Sequence, residues 1–461
     1  MESIVRRVLP YSLQPVTSTP DPAAAVAVAA DADGPLREMR GLHAGLIVFA
    51  GVAAANLGNY TFHLLAARLL GPASYGSVVS LLTLSGLVSL PLAGVQIAVA
   101  RSVAAHEARG DRDAVGRLLS RGALLSLAVG GGLALLIVAL LPAIESLLDL
   151  GNPTAIVLTA LITIPAVVMP VLWGVVQGLQ CYRLLALSMA LGTALKSLLF
   201  LGFFVLGGRL TGAILATLVA SALAVAVTLA PLRSTIERPG RIFTGLRSDL
   251  VGLVPVVGGL LAITALTSVD VVVAKTVFSS HDAGVYAGGS LIGRVVLYLP
   301  AAIATVLLPK VSSRVHANRD TSDIVGASIA VTAIVCLTVT LVYTVFSDTI
   351  ALRVLGADFQ EASDLLARFG LAMTLFAVLN VLLVYHLGHN SSRMTILLAA
   401  GALGQLAGYV AFHDSAQQLL GVSIAVGVTL LILHEVLIAR SSRFVVAWLA
   451  AVIRLTSPRS R

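Results

Sequence analysis

Charge is scarce in this sequence. Asp, Glu, Lys and Arg make up 11% of its 461 residues, less than half of the roughly 25% usual in soluble domains. So few charges cannot cover a water-facing surface, which excludes the three soluble domains that the length alone would suggest. Cysteine is nearly absent: Cys181 and Cys336 stand far apart, in or beside apolar segments. That rules out a disulfide scaffold, and both read as small buried hydrophobes rather than redox or metal groups. Aromatic residues reach only 5%, and the net charge of +8 is scattered in short groups between apolar runs, so nucleic acid is not an expected partner. A glycine period and the polar bias of disordered chains are missing too. So are a phosphate-cradling loop ending in GK[ST], a nucleophile elbow and His/Cys metal spacing. No enzyme, cofactor or metal is expected. What is abundant is apolar: 58% of the chain is hydrophobic, and the class that fits is an all-α polytopic membrane protein.

A hydrocarbon core of ~30 Å takes about 20 apolar residues of helix. Twelve such runs can be read, at 44–67, 77–102, 121–141, 154–177, 184–206, 210–232, 250–277, 284–308, 324–346, 368–387, 394–412 and 418–438. Residues 1–40, with Pro10, Pro15, Pro20, Pro22 and Pro35, read as a flexible tail. A signal peptide is not expected, because the first strong apolar run starts late and is long enough to span. With the N terminus inside, 23 of the 30 Lys and Arg residues fall on the inner side and five on the outer side. This split predicts a multi-pass membrane protein with both termini cytoplasmic. In residues 441–461, Arg443, Arg454 and Arg459 alternate with Phe444, Trp448, Leu449 and Ile453. That pattern suits a basic amphipathic tail at the inner surface, and equally a frayed charged end.

The two halves read alike. Span one ends in Ala67-Arg68 and is followed by Gly71-Pro72-Ala73-Ser74-Tyr75-Gly76, then Pro91 and Arg101. Span seven ends in Ala274-Lys275 and is followed by Asp282-Ala283-Gly284-Val285-Tyr286, then Pro300 and Lys310. The offsets are 207, 209 and 209 residues for the first cation, the proline and the second cation. Six spans (residues 41–233) followed by six related spans (234–440) form a parallel repeat, an arrangement that places transporter substrate sites between the halves.

At these residues the chain resembles a known family. The stretch AARLLGPASYGSVVSLL is similar to the first-repeat signature of the bacterial polysaccharide-biosynthesis membrane proteins, the oligosaccharide flippases. The stretch from Ser268 to Ser313, with Asp270, Gly284, Tyr286, Pro300 and Pro309-Lys310, resembles their second-repeat signature. VLGADFQEASDLL, around Gly356, Asp358 and Phe359, is similar to their loop between spans nine and ten. The resemblance implies the fold of the multidrug/oligosaccharidyl-lipid/polysaccharide exporter superfamily, two six-helix lobes around a central cavity. It implies flipping of an undecaprenyl-pyrophosphate-linked sugar from the inner to the outer leaflet. Partners would be that lipid-linked sugar, membrane lipids, and a glycan polymerase or glycosyltransferases. An ion-coupled multidrug or small-solute exporter of the same superfamily is the alternative.

Ionisable residues at bilayer depth are costly and are functional candidates by default. Arg294 stands about ten residues into span eight, ~15 Å along the helix and near the midplane, with Ser290 and Tyr298 close to its face. It is read either as a cavity cation, suited to bidentate phosphate binding, or as one half of a structural ion pair. Lys196, twelve residues into span five, is a second substrate-binding cation or the partner of a carboxylate. Asp270 in span seven either takes up a coupling proton, pairs with nearby Lys275, or fixes the packing of its span. Asn56, Asn59 and His63 form a row on span one that lines the cavity or bonds neighbouring helices. Arg68 and Lys275 at the outer mouth, and Arg101 and Lys310 at the inner mouth, either anchor lipid phosphates or attract the head group. Pro91 and Pro300 are expected bending points for alternating access, as are Pro255 and the Pro165/Pro170 pair. Gly130-Gly131-Gly132 and the Gly404/Gly408 pair read as sites of close helix packing. His386 and His389 are placed at the cytoplasmic face, and His434-Glu435, ending span twelve, is a protonatable unit or an interfacial pair.

Overall fold

In hydrocarbon each backbone N–H and C=O has to be satisfied within its own segment, so long Ala/Val/Leu runs become helices. The structure, a computed structural model, describes residues 35–89, 92–235, 246–298, 322–389 and 391–438, and no strand occurs among them. Its helices are α1 (Pro35–Ser89), α2 (Ala93–Glu107), α3 (Arg112–Ala139), α4 (Leu141–Leu148), α5 (Pro153–Gly178), α6 (Tyr182–Val205) and α7 (Arg209–Leu229). The second half has α8 (Leu246–Val277), α9 (Ser280–Gly293), α10 (Val295–Tyr298), α11 (Ser322–Val345), α12 (Ser347–Ile350), α13 (Ser363–Gly388), α14 (Arg393–Ala411) and α15 (Ala416–Leu433). A π-helical turn, Ala351–Leu355, and a 3₁₀ turn, Ala357–Ala362, precede α13, and a second π-helical turn, His434–Ile438, follows α15.

Ten helices among the described residues are long and apolar enough to cross a membrane. The 41-residue stretch Ile47–Leu87 holds span one and the start of span two. It breaks at Gly71 (φ 71°, ψ 173°), a conformation open to glycine and closed to residues with a Cβ, and Pro72 starts the next segment as its first helical residue. Spans two and eight run across residues 90–91 and 299–321, outside the described set. Pro91, Pro300, Lys310 and the tail 441–461 also lie outside it. The tail read at 1–40 is shortened, because α1 already begins at Pro35.

Packing sorts the chain into two units, divided after His63, Gly94, Ala139, Ile156 and Gly245. Residues Leu64–Gly94 and Leu140–Ile156 belong with the second unit, so the packing units depart from a division at 233/234. Within the first unit, α1 packs on α6, and α6 along α7. In the second, α8 packs on α14, α11 and α15 pack along α13, and α14 touches α15.

The internal repeat is visible in these contacts. Lys196 on α6 donates to Asn59 Oδ1 on α1 at 2.7 Å. At offsets of 209 and 207 residues, Gln405 on α14 donates to the carbonyl of Leu266 on α8 at 2.9 Å. Gly192 of α6 faces Ala224 on α7, and its equivalent Gly401 of α14 faces Leu430 on α15. Close packing falls on glycines only partly as expected: Gly130 lies against the Ile164 backbone, but a Cβ on Gly131, Gly132 or Gly404 would meet nothing within 4 Å. On α14 the tight positions are Gly401 and Gly408, one face of the helix, and Gly404 points elsewhere.

Cys181, between α5 and α6, is buried in an apolar cluster with Leu172, Val176, Leu179 and Leu184. Burial, reinforced by the charge of Glu107, pushes its thiol up to about 11. The thiolate is the reactive form, so Cys181 in the folded protein should resist N-ethylmaleimide at about pH 7.5 and react fully only after denaturation. Mass spectrometry of the alkylated protein reads this directly.

Candidate functional site

Two buried polar clusters stand out, one in each packing unit. In the first unit Lys196 is buried on α6. Its ammonium donates to Asn59 Oδ1 and sits 4.1 Å from the centroid of the Phe62 ring. An amide oxygen and a π face are both attractive to a cation, and neither neutralises it. No salt bridge to Lys196 is found among the described residues, so the reading as a carboxylate's partner gives way to an amide partner. Ser197, next along α6, donates to the Gly58 carbonyl at 3.2 Å. Of the polar row on α1, Asn59 therefore works between helices, while Asn56 is exposed and His63 half-buried.

In the second unit Asp270 on α8 is buried. Tyr286 on α9 donates to its Oδ2 at 3.0 Å. Arg294 Nη2 lies 3.7 Å from its Oδ1, too far for a good hydrogen bond. The expected pair with Lys275 is not formed: Lys275 donates instead to Ser280 Oγ at 3.0 Å. Five residues along a helix turn a side chain about 140° away, off the shared face of i+3 and i+4 neighbours. Arg294 also departs from its expected place within a continuous helix. It caps the C-terminal end of α9, between Gly293 and the short α10. Ser290 is buried one turn before it, whereas Tyr298 is 54% exposed.

The contact leaves groups open. Arg294 Nε and Nη2, Asp270 Oδ1, Ser290 Oγ and Gln405 Oε1 are buried with no hydrogen-bond partner among the described residues. Nε and Nη2 form one edge of the guanidinium, a fork that binds a carboxylate or phosphate bidentately. Around them, Tyr409 bonds Ser423 at 2.7 Å and also accepts from Gln405. Gln405, Tyr409 and Ser423 escaped the sequence reading. The signal was there, since Gln405 and Tyr409 are polar residues spaced i, i+4 on an apolar helix.

At the end of α1 that leads into this unit, Arg68 donates from Nε to the Val354 carbonyl at 3.0 Å and from Nη2 to that of Arg353. It thereby satisfies orphan carbonyls at the end of a π-helical turn. This exposed cation is engaged with protein, whereas Arg101 is simply exposed on α2. Beyond the break at Gly71, a Cβ on Gly76 would come within 2.9 Å of Gly284 Cα, and one on Gly284 would fall on the Pro72 carbonyl. The two signature glycines, 208 residues apart, bring α1 and α9 together backbone to backbone. Tyr75 is buried beside them, with its ring against Phe359 (centroids 5.9 Å apart).

A helical membrane protein with two matched halves, each carrying a deep cation against polar partners, is the class that fold and site define. The sequence profile of the family "Polysaccharide biosynthesis protein" matches residues 44–316, and the chain belongs to that family. No curated protein matches the sequence. Among solved structures, an inward-facing multidrug resistance MATE family transporter of the MOP superfamily is similar over 88% of this chain and 98% of its own, with 16% identity and a TM-score of 0.68. The lipid II flippase MurJ in an inward closed conformation is similar over 90% of this chain and 94% of its own, with 12% identity and a TM-score of 0.69. A eukaryotic MATE transporter is similar over 90% and 99%, with 14% identity and a TM-score of 0.63. The shared property at these identities is the fold, that of the multidrug/oligosaccharidyl-lipid/polysaccharide exporter superfamily.

Proposed function

We propose that this protein is a transporter and not an enzyme. In this reading it carries a polyprenyl-pyrophosphate-linked oligosaccharide from the inner to the outer leaflet of a bacterial cytoplasmic membrane. The lobes 41–233 and 234–440 alternate access, and both termini are cytoplasmic. Family membership supports a role in polysaccharide biosynthesis. The observation that carries the choice of substrate is the sign of the deep charge. The buried carboxylate Asp270 already faces Arg294, while Lys196 faces an amide and a ring. With Lys196 protonated the balance is cationic, which suits a diphosphate and opposes the organic cations that a multidrug exporter handles.

The chemistry follows from the loose Asp270–Arg294 contact. A phosphate reaching the Nε–Nη2 edge would replace one long contact by two charge-assisted hydrogen bonds. Tyr286 keeps Asp270 partnered while Arg294 is engaged. Lys196 with Asn59 supplies a second polar station for the head group, and the lipid tail stays in hydrocarbon. A glycan polymerase or glycosyltransferases would work beside the transporter as supplier and consumer of the lipid-linked sugar.

The direct test is proteoliposomes loaded with a fluorescent polyprenyl-diphosphate sugar. Protein-dependent movement of the label between leaflets is expected. Active protein with no effect on leaflet distribution, together with gene-dependent drug efflux in cells, would instead establish the multidrug or small-solute exporter.

A further inference from the structure

His386 and His434 are absorbed by none of this. His386 lies near the C-terminal end of α13, and His434 opens the π-helical turn that ends α15. Both are buried, with Nε2 atoms 3.0 Å apart and rings edge to face at 5.2 Å between centroids. A neutral imidazole has one N–H and one bare nitrogen, so two Nε2 atoms at this distance need one proton between them. His434 Nδ1 lies 3.9 Å from Glu435 Oε2. Among the described residues, the other titratable and charged groups facing the pair include Tyr385 and His389, on the helix that bears His386, and Arg393 at the start of α14.

The hydrogen inventory gives the pair three states. With both rings neutral, one N–H donates to the bare nitrogen opposite. One added proton leaves the bond in place and makes it charge-assisted. A second added proton sets N–H against N–H and cation against cation, and the contact cannot persist. At His434 the backbone hydrogen-bond register passes from α to π, and single π turns are frequent at functional positions.

We propose that His386 and His434 form a pH-operated latch between the C-terminal ends of α13 and α15, closed with at most one added proton and opened by the second. Both helices end at the same membrane face, so the latch senses the pH of that compartment. The inference stands apart from the identity of the substrate.

The test is the distance between spin labels at Ser392→Cys and Leu437→Cys, both exposed positions. It uses the full chain in nanodiscs, taken from about pH 8 to about pH 3.5, because burial favours the neutral imidazole and moves its titration below the ordinary histidine range. One short-distance population is expected at the alkaline end. It should give way to a longer one on acidification, with the slope of the single second proton that opens the latch. His386→Gln and His434→Gln should each lose the transition, because an amide offers donor and acceptor at every pH, and His389→Gln should keep it. Distances independent of pH in the unsubstituted pair would overturn the latch, even if a glutamine variant failed to fold. So would a transition unchanged in the glutamine variants. Opening by a chelator at about pH 8 would overturn it in favour of a bridging metal.

Discussion

Arg294→Ala in a null strain complemented with this gene should abolish surface glycan while the protein still reaches the membrane. Among the described residues of the second unit, the substitution removes the one guanidinium edge that is buried and unbonded. It also leaves Tyr286 as the partner of Asp270 by hydrogen bond among the described side chains, and breaking a buried pair by removing one partner costs ~3–5 kcal/mol. A loss of glycan could therefore reflect instability, and a second variant separates the two causes. Arg294→Ala with Asp270→Asn removes the stranded carboxylate, so thermal stability should return while glycan export stays absent. Arg294→Lys keeps the charge and loses the fork, and should restore export only in part. Normal glycan with Arg294→Ala would remove Arg294 from the substrate path without altering the family assignment.

Gly284→Val should be the most disruptive substitution available without touching a charge. A Cβ there would occupy the position of the Pro72 carbonyl, and a backbone oxygen cannot swing aside as a flexible side chain can. Overpacking of this kind costs ~1–3 kcal/mol where neighbours can shift and more where they cannot. The expected result is a lower melting temperature of the purified protein and loss of export. Gly131→Ala is the control, because a Cβ at Gly131 would meet nothing within 4 Å. Equal effects of the two would mean that the approach of α1 and α9 carries no special weight.

Much of the architecture was legible because bilayers impose a simple rule: a run of about 20 apolar residues is a helix. The repeat was legible for a different reason, since matching cations and prolines keep their spacing whatever the apolar residues between them. Fine geometry was harder to read. Arg294 looked like a residue within a long helix, and nothing local announced that α9 stops at Gly293. That helix lies against Phe359 and Phe369, where Gly288, Gly289 and Gly293 admit close rings, a tertiary fact. The Asp270–Lys275 pair was suggested by nearness in sequence, and helical periodicity argues against it. Arg294 is far from Asp270 along the chain and near it only because α8 and α9 pack together. Gln405 and Tyr409 show the opposite case, a readable i, i+4 polar pair outweighed by charged neighbours.

The two deep clusters differ in one respect that bears on energetics across the membrane. Asp270 and Arg294 form a neutral unit, so any displacement of the pair along the membrane normal does no net electrical work. Protonated Lys196, held by an amide and a ring, is a net charge. Carrying one elementary charge through the full field is worth about 2.3 kcal/mol per 100 mV. Any movement of a protonated Lys196 along the membrane normal would couple the first unit to the transmembrane voltage, in proportion to the fraction of the field that it crosses. Its repeat-equivalent, Gln405, would be blind to that voltage. One half of a duplicated scaffold would then carry a gating charge, and the other half would not.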